Sequence, residues 1–168
     1  NETLECWEIA LKSHNTPSVI ALSRQKAPYI NPNNEKENKC ENGAYTVHIT
    51  SHESNVTLIA SGTEVELALK VQEKLKENNI HSKVISMPCM ELFDKQSKEF
   101  KEDIIEESSL VVTLEAGSIT HWHKYIKNKG LNLGIDKFGE SAPYKEVYDH
   151  FNLTEEKITS LIQKKLRE

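Results

Sequence analysis

Apolar positions in this chain alternate between short runs and longer stretches of helical period. The runs at 44–49, 56–61, 83–87, 110–114 and 131–135 are bounded by turn residues and read as strands. Between the second and third runs, Val65, Leu67, Ala68, Leu69, Val71 and Leu75 give residues 64–77 the broad apolar face of a helix. Asn78 and Asn79 close it, because Asn tolerates the left-handed backbone that helix ends favour. A second helix is expected at 95–105, after a short turn near 90–93, with further helices at 120–127 and 144–151. At the carboxy end Ile158, Leu161, Ile162 and Leu166 share one face, and Thr154 is the expected N-cap.

The amino end has a different character. Leu4, Trp7, Ala10 and Leu11 form an amphipathic stripe that Pro17 stops, and residues 18–22 read as a buried strand. One helix and one strand cannot bury their apolar faces alone. Residues 1–26 are therefore expected to be the last piece of a domain that is incomplete here. Residues 27–42 hold two prolines and five asparagines and read as a linker. Residues 43–168 then alternate strand and helix. That pattern predicts an α/β fold: a three-layer, open, mostly parallel sheet with helices on both faces. Turns after its strands lie at the carboxyl edge, where such sheets place ligands. Ser61-Gly62, Glu115-Ala116-Gly117 and the segment around Gly139 are expected to converge there.

Composition narrows the function classes. At 168 residues, 37% hydrophobic and 28% charged, the chain is suited to a folded core. No run approaches the length of a membrane span, and no secretory signal is visible. A net charge of −5 with scattered basic residues argues against nucleic acid as a partner. Cys6, Cys40 and Cys89 are irregularly spaced, which suits reduced thiols in a cytoplasmic protein.

Several residues could carry chemistry. Arg24 follows an apolar run; its planar fork suits a phosphate, and the alternative is a surface ion pair. Ser61-Gly62-Thr63-Glu64 joins a strand to a helix, so its amides could receive an anion, or the turn could simply be capped. Ser61, Gly62 and Thr63, with Glu115, Gly117, Gly139, Glu140 and Ser141, outline a possible anion pocket at the sheet edge. Glu115 and Glu140 could instead form an acid/base pair, or each could hold its own turn. His121 and His123 are two apart and cannot share a metal ion from one helix.

Five segments carry a resemblance when taken together: Leu22-Ser23-Arg24-Gln25, Ile59-Ala60-Ser61-Gly62-Thr63-Glu64-Val65, Val84-Ile85-Ser86-Met87-Pro88, Leu114-Glu115-Ala116-Gly117 and Phe138-Gly139-Glu140-Ser141-Ala142-Pro143. Their order and spacing resemble the carboxy-terminal end of the transketolase family, from about Thr3 to Lys165. The resemblance implies that residues 1–26 end a pyrimidine-binding domain and that 43–168 are the carboxy-terminal domain. It implies a parent enzyme of the pentose phosphate pathway that moves a two-carbon ketol unit between sugar phosphates. Thiamine diphosphate and a divalent metal, Mg or Ca, would serve that parent, which would be a homodimer. In the family the arginine of the Ser-Arg-Gln turn contacts the sugar phosphate, a role carried here to Arg24. Lys26 departs from the Asn common at its position. The cofactor site lies in other domains, so this fragment is expected to bind no cofactor, to be inactive alone, and to act as a dimerisation scaffold. A 1-deoxyxylulose-5-phosphate synthase, a 2-oxo acid dehydrogenase beta subunit and a freestanding α/β anion-binding module remain alternatives.

Overall fold

The apolar runs assemble into one five-stranded sheet in the computed structural model, which describes residues 1–30, 37–107, 109–126 and 130–168. The strands are β1 Tyr45–Ile49, β2 Val56–Ala60, β3 Ser82–Ser86, β4 Leu110–Leu114 and β5 Leu131–Leu133. Their order is β1-β3-β2-β4-β5. All neighbours pair in parallel except β1, which runs antiparallel against β3 at one edge. β2 and β3 are buried at every position, as central strands covered on both faces must be.

Side-chain alternation divides the core in two. Val56, Leu58 and Ala60 of β2 point to the face covered by α2 (Glu64–Glu77) and α6 (Glu155–Lys165). Val71 and Leu75 of α2 and Ile158 and Ile162 of α6 close that layer with no exposed surface. Ile59 and Ile85 point the other way, onto Phe93 of α3 (Met90–Asp94), Ile104 of α4 (Lys98–Ile104), and Trp122 and Tyr125 of a 3-10 helix (Thr120–Tyr125). Helices on both faces of a mostly parallel sheet make this the expected three-layer α/β fold.

Polar side chains inside the sheet find partners, apart from the buried Ser82 hydroxyl, which has none among the described residues. The Lys83 ammonium, 6% exposed, donates to the Asp103 carbonyl at 2.8 Å and to Glu106 Oε1 at 2.9 Å. Gln72 donates from Nε2 to the Ser82 carbonyl at 2.8 Å and meets His48 Nδ1 at 2.6 Å, tying α2 to the β1 edge.

Some expectations need correction. Residues 18–22 form no strand; Val19 is 96% exposed and Leu22 63% exposed, since no described strand lies beside them to take their hydrogen bonds. The first helix, α1 (Glu2–Lys12), forms, but its stripe of Leu4, Trp7 and Leu11 faces solvent. The face turned toward the chain is instead Glu2, Glu5, Cys6 and Ile9. Residues 31–36 of the expected linker lie outside the described residues, while Lys39–Asn42 form a 3-10 turn that buries Cys40. The expected turn at 90–93 is the helix α3, because Phe93 draws it onto the core. Ser97 then caps α4, accepting from Phe100 N at 3.1 Å, so that helix starts later than residue 95. Thr154 occupies the N-cap position of α6, yet its hydroxyl makes no cap bond.

Candidate functional site

Two turns at the carboxyl edge of the sheet bring four elements together. After β2, Gly62 takes a left-handed backbone, with φ of +54°, and lets the chain turn directly into α2. This places Glu64 in the first turn of α2, where the positive end of the helix favours a carboxylate. Glu64 is buried. Its Oε1 accepts from Tyr148 of α5 (Tyr144–His150) at 2.5 Å and from Thr63 Oγ1 at 2.9 Å.

After β4, Glu115 turns inward beside it. Its Oε2 accepts from Trp122 Nε1 at 3.3 Å and from Ser61 Oγ at 3.4 Å. Burial, reinforced by the Glu64 charge, raises the Glu115 carboxyl above the usual range, while the bonds from Trp122 and Ser61 act against that rise. Burial and the bond to Glu64 likewise raise the Tyr148 phenol. Gly134 permits the return of β5: a Cβ there would lie 2.8 Å from the Gly117 carbonyl and 2.9 Å from that of Glu115.

The structure therefore unites Ser61, Thr63 and Glu115 from the sequence-derived set, and adds Glu64, Trp122 and Tyr148. Trp122 stood out only as the middle of a His-x-His pattern. Glu64 stood out only as the end of a turn motif. The two features that single them out, a buried first-turn acid and a buried indole needing an acceptor, require the fold to be seen. Gly139, Glu140 and Ser141 sit on an exposed segment after β5 and make no hydrogen bond among the described residues. The carboxylate that acts on Glu115 is Glu64, not Glu140. Chemically, the cluster is two carboxylates, each accepting two bonds at one oxygen from phenol, hydroxyl and indole donors. It carries negative charge and locks α2, α5, β4 and the 120–125 helix to one another.

Arg24 lies elsewhere. It is exposed on a bend and makes no hydrogen bond or ion pair among the described residues. Its neighbours Leu22 and Ser23 line a cleft of about 1070 Å³, together with α1 residues and the 61–66 turn. The cleft joins the amino-terminal 30 residues to the sheet edge. His123 Nδ1 meets Asn132 Nδ2 at 3.1 Å, and among the described residues no His, Cys, Asp and Glu side chains group as a metal-ligand set.

Known proteins share this architecture and its sequence. The transketolase-like TK C-terminal domain family matches residues 43–154. The transketolase of Rhodobacter capsulatus is 36% identical over 168 residues, covering 96% of this chain and 25% of its own length. Chloroplastic transketolase from Spinacia oleracea is 38% identical over 161 residues, covering 94% of this chain and 22% of its own. The solved transketolase of Campylobacter jejuni superposes with a TM-score of 0.86 at 34% identity, across 97% of this chain and 24% of that one. A Pichia stipitis transketolase in complex with sedoheptulose-7-phosphate superposes with a TM-score of 0.90 at 29% identity, covering 99% of this chain and 24% of that one. The chain spans about a quarter of the length of these relatives. It belongs to the transketolase family, of which it carries the C-terminal domain.

Proposed function

We propose that this chain is the carboxy-terminal part of a cytoplasmic, homodimeric transketolase that moves a two-carbon ketol unit between sugar phosphates, and that Arg24 grips the substrate phosphate. The observation that carries the role of Arg24 is its exposure on a bend beside a large cleft, with no hydrogen-bond or ion-pair partner among the described residues. A guanidinium held by no carboxylate keeps its paired donors available to a phosphate. The relative solved with a bound sugar phosphate supports the substrate class. Residues 1–26 would close a pyrimidine-binding domain, with 27–42 as linker and 43–168 as the carboxy-terminal domain.

Thiamine diphosphate and a divalent metal would supply the carbanion chemistry in the whole enzyme. The described side chains here do not fit that group. A pyrophosphate needs a metal or clustered cations, whereas the inward groups at this sheet edge are two carboxylates, which would repel it. No step is assigned to the cofactor on this chain. The sheet domain acts as a scaffold, and its edge cluster holds the 61–66 turn that faces the cleft. Titrating the isolated chain with thiamine diphosphate and Mg in a calorimeter is expected to give no isotherm; micromolar, metal-dependent binding would overturn this division of labour.

Arg24 is tested in the whole enzyme. Arg24→Ala is expected to raise KM for a phosphorylated ketose by about tenfold or more, the loss of one charge-assisted contact. The kcat/KM for an unphosphorylated ketose should stay within about twofold of wild type. Equal losses on both substrates would remove the phosphate-binding role.

A further inference from the structure

The first helix is held to the rest of the chain by polar contacts from Glu2, Glu5 and Glu8 that set Cys40 beside it. Glu5 Oε2 accepts from the Lys39 and Cys40 amides at 2.9 and 3.2 Å, and the Glu5 carbonyl accepts from Asn38 Nδ2 at 2.9 Å. These bonds press the 39–42 turn onto α1 and bury Cys40, whose Sγ reaches the Glu2 carbonyl at 3.9 Å. Glu2 and Cys6 stand one turn apart on α1. Helical side chains lean back over the preceding turn, so the Cys6 thiol projects toward the turn where Cys40 Sγ sits. Both residues line the same cleft, and the position of Cys40 Sγ beside the Glu2 carbonyl sets the two thiols on the same side of α1.

The two thiols are unequal. The neighbouring Cys40 thiol lowers Cys6, while burial and nearby Glu2 and Glu5 act against the lowering. The neighbouring Cys6, with burial, raises Cys40. Cys6 is half-buried and open to a small reagent, whereas Cys40 is 1% exposed. Cys89 lacks this setting: burial raises its thiol, and its described side-chain bond is to Glu91 at 3.6 Å.

We infer that Cys6 and Cys40 form a peroxide-responsive modification site, at which the two thiols become an intrachain disulfide joining α1 to the 39–42 turn. The Cys6 thiolate attacks one peroxide oxygen; the O–O bond breaks, and the departing oxygen leaves as water or an alcohol after taking a proton. The resulting sulfenic acid meets the Cys40 thiol. The Cys40 sulfur displaces the sulfenic oxygen, which leaves as water carrying the Cys40 proton. Two thiols have then lost two electrons to one peroxide. The crosslink encloses residues 7–39, and with them Arg24, in a covalent loop.

Peptide mapping of the whole protein tests this. The protein is exposed to hydrogen peroxide, blocked with N-ethylmaleimide, digested and analysed by mass spectrometry. A joined pair of peptides containing Cys6 and Cys40, two hydrogens lighter than the separate thiols and released by dithiothreitol, is the expected product, with Cys89 recovered alkylated. Cys40→Ser should abolish the pair and leave Cys6 as a sulfenic acid that dimedone traps. Cys6→Ser changes a less buried position and should leave Cys40 unoxidised, which keeps the test decisive if Cys40→Ser fails to fold. Recovery of Cys6 and Cys40 as separate alkylated peptides from wild type, or joining of either to another cysteine, would overturn the inference.

Discussion

Gly43, which is buried, joins the 39–42 turn to the sheet, and replacing it with alanine should be far costlier than the addition of one methyl group suggests. Its φ is +79°, a conformation that costs an L-residue about 1–2 kcal/mol. A Cβ there would lie 2.2 Å from the Phe93 amide nitrogen and 2.3 Å from the Cys89 carbonyl oxygen. Both are backbone atoms, so no side chain can swing aside; the start of α3 must move by about 1 Å to restore ordinary contact distances. That displacement pulls on two hydrogen bonds, Gly43 N to Cys40 O at 2.9 Å and Cys89 N to Gly43 O at 3.2 Å, each worth about 1 kcal/mol net. Gly43→Ala is therefore expected to destabilise by about 3–4 kcal/mol, against a typical domain stability of about 5–15 kcal/mol. Gly62→Ala is the internal control: φ is also positive, +54°, but an added Cβ would meet nothing within 4 Å. It should cost only the backbone term, about 1–2 kcal/mol. Urea unfolding followed by far-ultraviolet circular dichroism measures both. If the two variants lost the same stability within about 0.5 kcal/mol, the close approach at Gly43 would not be rigid and the reasoning would fail.

Because burial and the Glu64 charge raise the folded Glu115 carboxyl, its contribution is favourable below the ordinary glutamate range and is lost as pH climbs through the raised value. Glu115→Gln should thus gain stability relative to wild type between about pH 4 and pH 7, read from thermal midpoints, and a pH-independent difference would contradict the cause assigned. At the Lys83–Glu106 pair the ammonium is 6% exposed and the carboxylate 28% exposed. Removing the acid strands a buried charge, whereas removing the base leaves a carboxylate that water can reach; Glu106→Ala should cost about 3 kcal/mol and Lys83→Met about 1, and the reverse order in urea melts would refute this.

Much of the fold was legible because central strands and two-faced helices write strong signals. The runs at 56–61 and 110–114 are apolar on both faces since both faces are covered. Leu67, Val71 and Leu75 mark the buried side of α2 directly. The errors have physical causes. Residues 18–22 look like a strand by composition, but a strand is a pairing, and no described segment pairs with it. The direction of β1 depends on how the 50–55 turn folds back, which alternation alone does not encode. At the sheet edge, Ser61 and Glu115 were visible as strand-end residues. Tyr148 reaches Glu64 across 84 positions, and Trp122 reaches Glu115 through a helix end, so neither partnership leaves a local pattern.

How α1 is held follows from the same contrast between apolar and polar faces. No residue of α1 is buried, and Leu4, Trp7 and Leu11 are 75, 50 and 71% exposed. Residues 43–168 close both core layers without any of them. Docking of α1 therefore rests on hydrogen bonds to carboxylates: Glu5 to the 39–40 amides, Glu2 to Tyr45 at 3.2 Å and to Ser86, and Glu8 to Asn38 at 2.9 Å. Such contacts contribute about 1.5–3 kcal/mol each at best, and α1 shares little apolar burial with the sheet. Its detachment should then be a local event, lower in free energy than unfolding of the sheet. Hydrogen exchange would resolve this as faster exchange for the α1 amides than for those of β2 and β4. A crosslink at Cys6 would matter for the same reason: it adds a covalent link to a junction held by polar contacts, so it should slow exchange in α1 while leaving β2 and β4 unchanged. Equal exchange in all three elements, with or without the crosslink, would mean that α1 is integral to the core and that its polar docking has been undervalued.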